Sequence, residues 1–324
     1  MKLLIILDPL ETIKIAKDTS YSMMTAAAAR GHELSVCMMR DLSFSSTAAH
    51  GERVTAMAQS LTLTGKATPW YATCAQSEQA LSEFDAVIMR TDPPFDMEYV
   101  YATYMLQCAE NEGAKVFNSP QAIRDHNEKF SIAGFPELTA PTLVTRSPAR
   151  LKAFVKTHKR AIFKLLDGMG GTSIFQARDD DPNLSVIIET MNQFGNVSVM
   201  AQKFLPEISA GDKRILLIGG KVVPHALARI PAQGEVRGNM AAGGKPVAHD
   251  LSASDLRIAE FLAPKLWARG LFLVGLDVIG ESVTEINVTS PTGFQEIRDQ
   301  TGFDVPAMFI TELEQALEGS STSS

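Results

Sequence analysis

The apolar positions of the first 120 residues fall into short unbroken runs separated by stretches of helical period. Leu3–Leu7 is apolar throughout, as a strand buried on both faces must be, and Tyr21–Arg30 follows with helical spacing and a closing Gly31. Leu34–Met39 reads as the next strand. The pattern returns in Ala86–Met89, in a helix over Met97–Glu112 stopped by Gly113, and in Lys115–Phe117 before Asn118-Ser119-Pro120. Strands alternating with helices predict parallel βαβ units, and so a Rossmann-like, doubly wound α/β domain over about residues 1–120. Residues 41–80 are weakly patterned and read as helix and loop.

From Ala161 onward the rhythm changes to short strands with glycine turns: Ala161–Leu166, Ser173–Ala177, Val199–Phe204, Arg214–Ile218, Val222–Ala228, Leu271–Ile279 and Val283–Val288. The second half is therefore α+β. No internal repeat is visible, and the low-complexity stretch Gly319–Ser324 predicts a disordered tail.

Size and charge narrow the possible partners. A chain of 324 residues with 45% hydrophobic content can bury a large core, divided into two or three units. Its 30 Lys and Arg against 37 Asp and Glu give a mildly acidic surface, which disfavours nucleic acid or an anionic membrane as partner and points to small molecules. Asp8-Pro9 ends the amino-terminal apolar run before a signal sequence or membrane span could form. Cys37, Cys74 and Cys108, odd in number and without a C-x-x-C pair, signal neither a disulfide framework nor a zinc site, so the expected compartment is the cytoplasm. The turn after the first strand, Asp8–Thr12, has no glycine cradle, which disfavours an NAD site.

The sharpest chemical signal is the hairpin of Leu271–Ile279, Gly280-Glu281-Ser282 and Val283–Val288. A three-residue loop pairs Ile279 with Val283 and sets Asp277 across from Glu285 on one face, with Asn287 beside them opposite Gly275. Opposed carboxylates in apolar surroundings call for positive charge. Hard oxygen donors of this kind suit Mg²⁺, while a protonated carboxyl or a nearby arginine satisfies the same pair without metal.

Ala161–Leu166 carries one lysine, Lys164, in an otherwise apolar strand, which is costly unless the ammonium meets an anion. Directly after it, Gly168, Gly170 and Gly171 in Asp167–Ser173 let the backbone offer N–H groups to phosphate, or serve merely as a hairpin loop. The P-loop pattern occurs nowhere. A second hairpin turning at Gly219-Gly220 pairs Ile218 with Lys221 and brings Arg214 and Arg229 to one face, where they could clamp a phosphoryl group and an oxyanion or simply solvate the surface. Residues 231–245, aperiodic with four glycines, read as a mobile lid.

A lysine strand before a glycine loop, a paired-arginine hairpin and a D…E-x-N hairpin, in this order behind a Rossmann-like domain, resemble the ATP-grasp ligases. More narrowly, the chain is similar to the prokaryotic glutathione synthetases in Thr91–Asp96, Tyr101–Tyr104, Asn127–Lys129, Leu166–Gly171, Gly211–Arg214, Leu227–Pro231, Arg237–Asn239 and Thr284–Thr292. The resemblance implies a substrate domain at 1–122, an ATP-grasp lid subdomain at 123–200, and a catalytic subdomain at 201–318 with a mobile loop at 230–246. It implies that Lys129, Lys164 and the glycine loop hold ATP phosphates, that Gln202, Lys203, Phe204 and Leu205 form the hinge against adenine, and that Asp212 lies near the nucleotide. Asp277, Glu285 and Asn287 would ligate Mg²⁺, with Mn²⁺ as the alternative, while Arg214 and Arg229 stabilise an acyl phosphate and its intermediate. Arg237, Asn239 and Ser290 would hold peptide or glycine under the lid. The implied reaction joins γ-glutamylcysteine and glycine with ATP, in a homotetramer. Leu165, Thr91 and Lys203 depart from the family pattern, and Thr91 bears on the peptide contacts. A different ATP-grasp ligase and a non-catalytic nucleotide-binding protein are the competing readings; the second should have lost an arginine or a metal ligand, and none is missing here.

Overall fold

The protein is described by a computed structural model over residues 1–47, 51–232, 238 and 243–321. Its first sheet is built from β1 (Lys2–Ile6), helix α1 (Thr19–Ala29), β2 (Glu33–Cys37), β3 (Leu42–Thr47), β4 (Gly51–Leu63), β5 (Tyr71–Thr73), β6 (Ser77–Ala80), β7 (Ala86–Met89), helix α2 (Met97–Asn111) and β8 (Val116–Phe117). The order is β3-β4-β2-β1-β7-β8, with β5 and β6 also on β4; β2, β1, β7 and β8 run parallel. Alternation along β1 explains its unbroken apolar run. Leu3 and Ile5 pack toward α1 with Met23 and Ala27, whereas Leu4 and Ile6 pack toward α2 with Tyr99 and Leu106. Asp18 and Asp96 cap the two helices by accepting hydrogen bonds from Tyr21 N at 2.7 Å and Tyr99 N at 3.0 Å.

Residues 41–80 are where the sequence reading is corrected, because they form four antiparallel strands rather than helix and loop. The period is two: Val54, Ala56 and Ala58 are buried on one face of β4. Alanine and threonine give that alternation almost no hydrophobic contrast, and the strand is held by its pairing to β2, β3, β5 and β6.

After α3 (Pro120–Arg124), the second sheet contains β9 (Thr142–Thr145), β10 (Arg160–Leu165), β11 (Phe175–Arg178) and β12 (Val199–Lys203), with helices α4 (Pro148–His158) and α5 (Leu184–Met191). Its order is β11-β10-β12-β9, all antiparallel. Ala161 and Phe163 pack under α4 and α5 with Leu151, Val155 and Ile188, which leaves Ile162 and Lys164 on the other face by the pleat.

The third sheet, β15-β14-β13-β16-β17, is antiparallel and consists of β13 (Asp212–Ile218), β14 (Lys221–Ile230), β15 (Lys245–Asp250), β16 (Leu273–Ile279) and β17 (Ser282–Asn287). Helix α6 (Ala253–Trp267) buries Ile258, Leu262 and Leu266 against Ile215, Leu217, Val274 and Leu276. Helices α7 (Phe294–Thr301) and α8 (Val305–Ser321) return to the first unit, where Phe294, Phe309 and Leu313 share one core with Leu3, Met24 and Leu216. Arg30 and His32 both grip Glu314. The tail reading is corrected here, since α8 runs to Ser321 through the first residues assigned to disorder, and the last three lie outside the described residues. No helix among the described residues is long and apolar enough to cross a membrane.

Candidate active site

The second and third sheets face each other across a cleft with two connected parts that share Asp277 and Glu285. One is a slot between Ile162, Lys164, Gln202–Leu205 and Ile279. The other is polar and runs over Lys129, Gly168, Gly170, Arg214 and Arg229 toward the first sheet.

Strand register sets a row of charges on the cleft face of the third sheet. Arg229 on β14 lies opposite Asp212 on β13, Arg214 on β13 opposite Asp277 on β16, and Asp277 opposite Glu285 on β17. Gly219 and Gly220, both at positive φ, make the tight turn that pairs Ile218 with Lys221. Near Pro224, which has no N–H for the ladder, β14 shifts by two residues; an even shift keeps Arg229 on the face of Arg214.

The carboxylate hairpin reaches the expected pairing by a different route. Its turn has two residues, Gly280 and Glu281, with Ile279 opposite Ser282 instead of Val283. A bulge at Thr284 restores the pairing of Asp277 with Glu285 and of Gly275 with Asn287. Arg214 occupies the space beside Gly275: a Cβ there would sit 2.9 Å from Arg214 Cδ.

The protein itself supplies positive charge to the opposed carboxylates. Asp277, 2% exposed, accepts from Arg214 Nε at 2.6 Å and pairs with Arg229 Nη2 at 2.9 Å. Glu285 meets Lys164 Nζ at 3.2 Å and Lys129 Nζ at 4.0 Å, and Lys129 also donates to the carbonyl of Gly168. Of the alternatives weighed for this hairpin, the arginine-paired one is present, so charge repulsion alone does not require a metal. Burial opposes ionisation of Asp277, yet Arg214 and Arg229 outweigh it and hold its carboxyl well below the usual range. Asp212 shares Arg229, at 2.5 Å, and goes the other way: burial above all pushes it up to about 6, Arg229 opposes, and Asp277 and Glu285 add to the rise. Its Oδ1 is buried without a hydrogen-bond partner among the described residues.

The remaining candidates are distributed along the cleft. Gln202, buried, donates to Thr142 Oγ1 at 3.4 Å, and the Phe204 ring lies under the Arg160 guanidinium at 3.8 Å; both line the slot with Lys203 and Leu205. Gly170 and Gly171 take positive φ in the turn after β10. Ser290 donates to Asp92 at the far end of the polar part. Arg237 and Asn239, with most of the lid loop, lie outside the described residues; Gly238 between them sits so close to Arg229 that a Cβ would be 2.5 Å from its carbonyl oxygen.

Several cleft residues carried no sequence signal of their own. Glu128 Oε1 accepts from Val288 N, Thr289 N and Thr289 Oγ1 at 2.8–3.0 Å and so pins the segment after β17. The Asn127-Glu128-Lys129 match drew attention to its lysine alone. Asn118 ties β16 to the first unit through both Leu273 backbone groups and Val288 O. Lys14, Lys17, Asp92 and Glu296 line the polar part from loops and a helix end, where no period marks them.

Two antiparallel sheets clasping a slot, with a lysine and glycine loop from one and an acidic hairpin from the other, define an ATP-grasp ligase. The backbone agrees: D-cycloserine synthetase DcsG superposes with a TM-score of 0.66 at 14% identity over 97% of this chain and 99% of that one. ATP-grasp ligase PsnB, with a precursor variant, Mg and ADP, superposes at 0.65 and 17% identity over 97% and 98%. At these identities the likeness is one of fold. Residues 1–124 match the prokaryotic glutathione synthetase N-terminal domain and residues 128–302 its ATP-grasp domain, and the chain belongs to the prokaryotic glutathione synthetase family. The glutathione synthetase of Ralstonia nicotianae is 55% identical over 98% of this chain and 96% of its own. That of Neisseria meningitidis serogroup A is 54% identical over 95% and 97%.

Proposed function

We propose that this chain ligates γ-glutamylcysteine to glycine, converting ATP to ADP and phosphate through an acyl phosphate. The observation that carries the reading is the Lys164–Glu285 and Arg214–Asp277–Arg229 network at the junction of the slot and the polar cleft. Polyphosphate entering there draws Lys164, Lys129 and the glycine loop toward itself. The cysteinyl carboxylate attacks the γ-phosphorus, ADP leaves, and the free amine of glycine then adds to the acyl carbon before phosphate departs. Arg214 and Arg229 face both developing charges, first on the phosphoryl group and then on the tetrahedral oxyanion.

The donor set suits Mg²⁺, with Mn²⁺ as the alternative. Asp277 and Glu285 offer carboxylate oxygens, and Asn287, whose Nδ2 donates to Gly275 O at 3.1 Å, keeps its Oδ1 without a hydrogen bond among the described residues. Among those residues no cluster of three or more His, Cys, Asp or Glu forms, and a Mg²⁺ held here would have to complete its shell with phosphates and water. Such an ion would neutralise phosphate charge and orient the γ-phosphoryl group. Arg237, Asn239 and Ser290 are assigned to peptide and glycine, and 1–122, 123–200 and 201–318 to the three units. The working enzyme is read as a cytoplasmic homotetramer, as the family resemblance implies. An assay of ADP release tests the reaction: γ-glutamylcysteine and glycine should both be required, and release indifferent to glycine would overturn it.

A further inference from the structure

One wall of the slot is braced from its outer edge. Register fixes which side chains share the cleft face of the second sheet: Ile162 on β10 lies opposite Gln202 on β12 and Gln176 on β11, and two residues earlier Arg160 lies opposite Arg178. Phe204 continues β12 by one residue, and its N donates to Arg160 O at 3.1 Å. Parity returns its ring to the face of Gln202, where Ile162, Gln202 and Phe204 line the slot together. The Arg160 guanidinium lies over that ring, 3.8 Å from its centroid.

Like charges directly opposite on paired strands repel, so Arg160 and Arg178 each need another partner. Arg178 takes a carboxylate, donating to Asp180 through Nε and Nη2 at 3.1 Å each. Arg160 has no carboxylate within reach among the described residues and takes a neutral acceptor, the Gln176 carboxamide oxygen, which accepts from Nε at 2.8 Å and Nη2 at 2.7 Å. Two bonds in the plane of the guanidinium leave its flat face free for the ring. The ring has little else to hold it, since Phe204 is half-buried and belongs to no apolar core among the described residues. An aromatic side chain that must be immobilised when a ligand packs on it weakens binding, and one already held does not.

We propose that Arg160 is a positioning residue for the nucleotide: held by Gln176, it fixes the Phe204 ring as a preformed wall of the slot, on which the flat purine of ATP packs. The inference rests on the proposed seating of adenine in the slot and is independent of which amide the enzyme forms. Isothermal titration with ATP and with inorganic tripolyphosphate, each with Mg²⁺ and without peptide or glycine, tests it, because tripolyphosphate carries the phosphates and no base. Arg160→Met should weaken ATP about fivefold, the strength of one exposed cation–π contact, and leave tripolyphosphate unchanged. Arg160→Lys, whose ammonium still binds a ring face, should lose less. In a Phe204→Leu background Arg160→Met should cost nothing further. Equal losses for ATP and tripolyphosphate in Arg160→Met, or no loss for ATP while Phe204→Leu weakens it, would overturn the positioning role and leave the adenine reading standing. ATP binding unchanged by either substitution would overturn both.

Discussion

Lys164 and Glu285, on strands of different sheets, form an ion pair of 3.2 Å that spans the cleft. Each is held on its strand by burial of the opposite face. The pair therefore joins the sheets where a nucleotide would separate them. On the proposed reaction Lys164 would turn to phosphate and leave Glu285 free to hold a metal ion, an exchange of partners rather than the capture of two unpaired charges.

Glu285→Gln keeps the shape of this side chain but removes its charge. Turnover should be largely abolished and the melting temperature should fall, because the substitution leaves the buried Lys164 and Lys129 without their counter-charge. ADP-release kinetics and a thermal melt check both halves, and full activity would contradict the metal assignment.

Arg229 is shared between Asp212 and Asp277. Arg229→Ala should lower kcat at least about 100-fold, the scale of losing one oxyanion donor, with a much smaller change in the KM for ATP. It also strands Asp212, so a loss of about 3 kcal/mol in denaturant unfolding is expected.

Gly275→Ala places a methyl 2.9 Å from both Arg214 Cδ and Pro291 Cβ. Arg214 must then leave Asp277, and kcat should fall with a stability cost of about 2 kcal/mol. Wild-type kcat in this variant would show that Arg214 can be displaced harmlessly.

Glu110 on α2 is half-buried, and burial pushes its carboxyl up to about 7, with Gln107 opposing. A carboxyl whose pKa is higher in the folded than in the unfolded state favours folding below its unfolded value and loses that contribution as pH rises. The loss falls between about pH 4.5 and 7. Glu110→Gln should remove this slope and raise stability at pH 8 by roughly 1 kcal/mol after allowing for solvent screening, measured as urea midpoints across pH.

Local pattern carried much of this fold. The βαβ alternation and the lysine before its glycine loop follow from period and parity, which hold whatever the distant chain does, whereas Asp277 and Glu285 share a face only because the bulge offsets the shorter turn. Pattern failed where contrast was low, as in Val54, Ala56 and Ala58 of β4, and where a bulge replaced a loop residue at Thr284. It also passed over Glu128 and Asn118, whose partners are more than 150 positions away.

By itself, then, the sequence determined which residues share a strand face and which chemistry those faces bear, because side-chain alternation is a property of the local backbone. Only the tertiary structure decided that arginines and lysines neutralise the opposed carboxylates. Lys164 and Glu285 lie 121 residues apart, and their meeting depends on how two sheets dock, which burial of distant apolar faces fixes and no local period encodes.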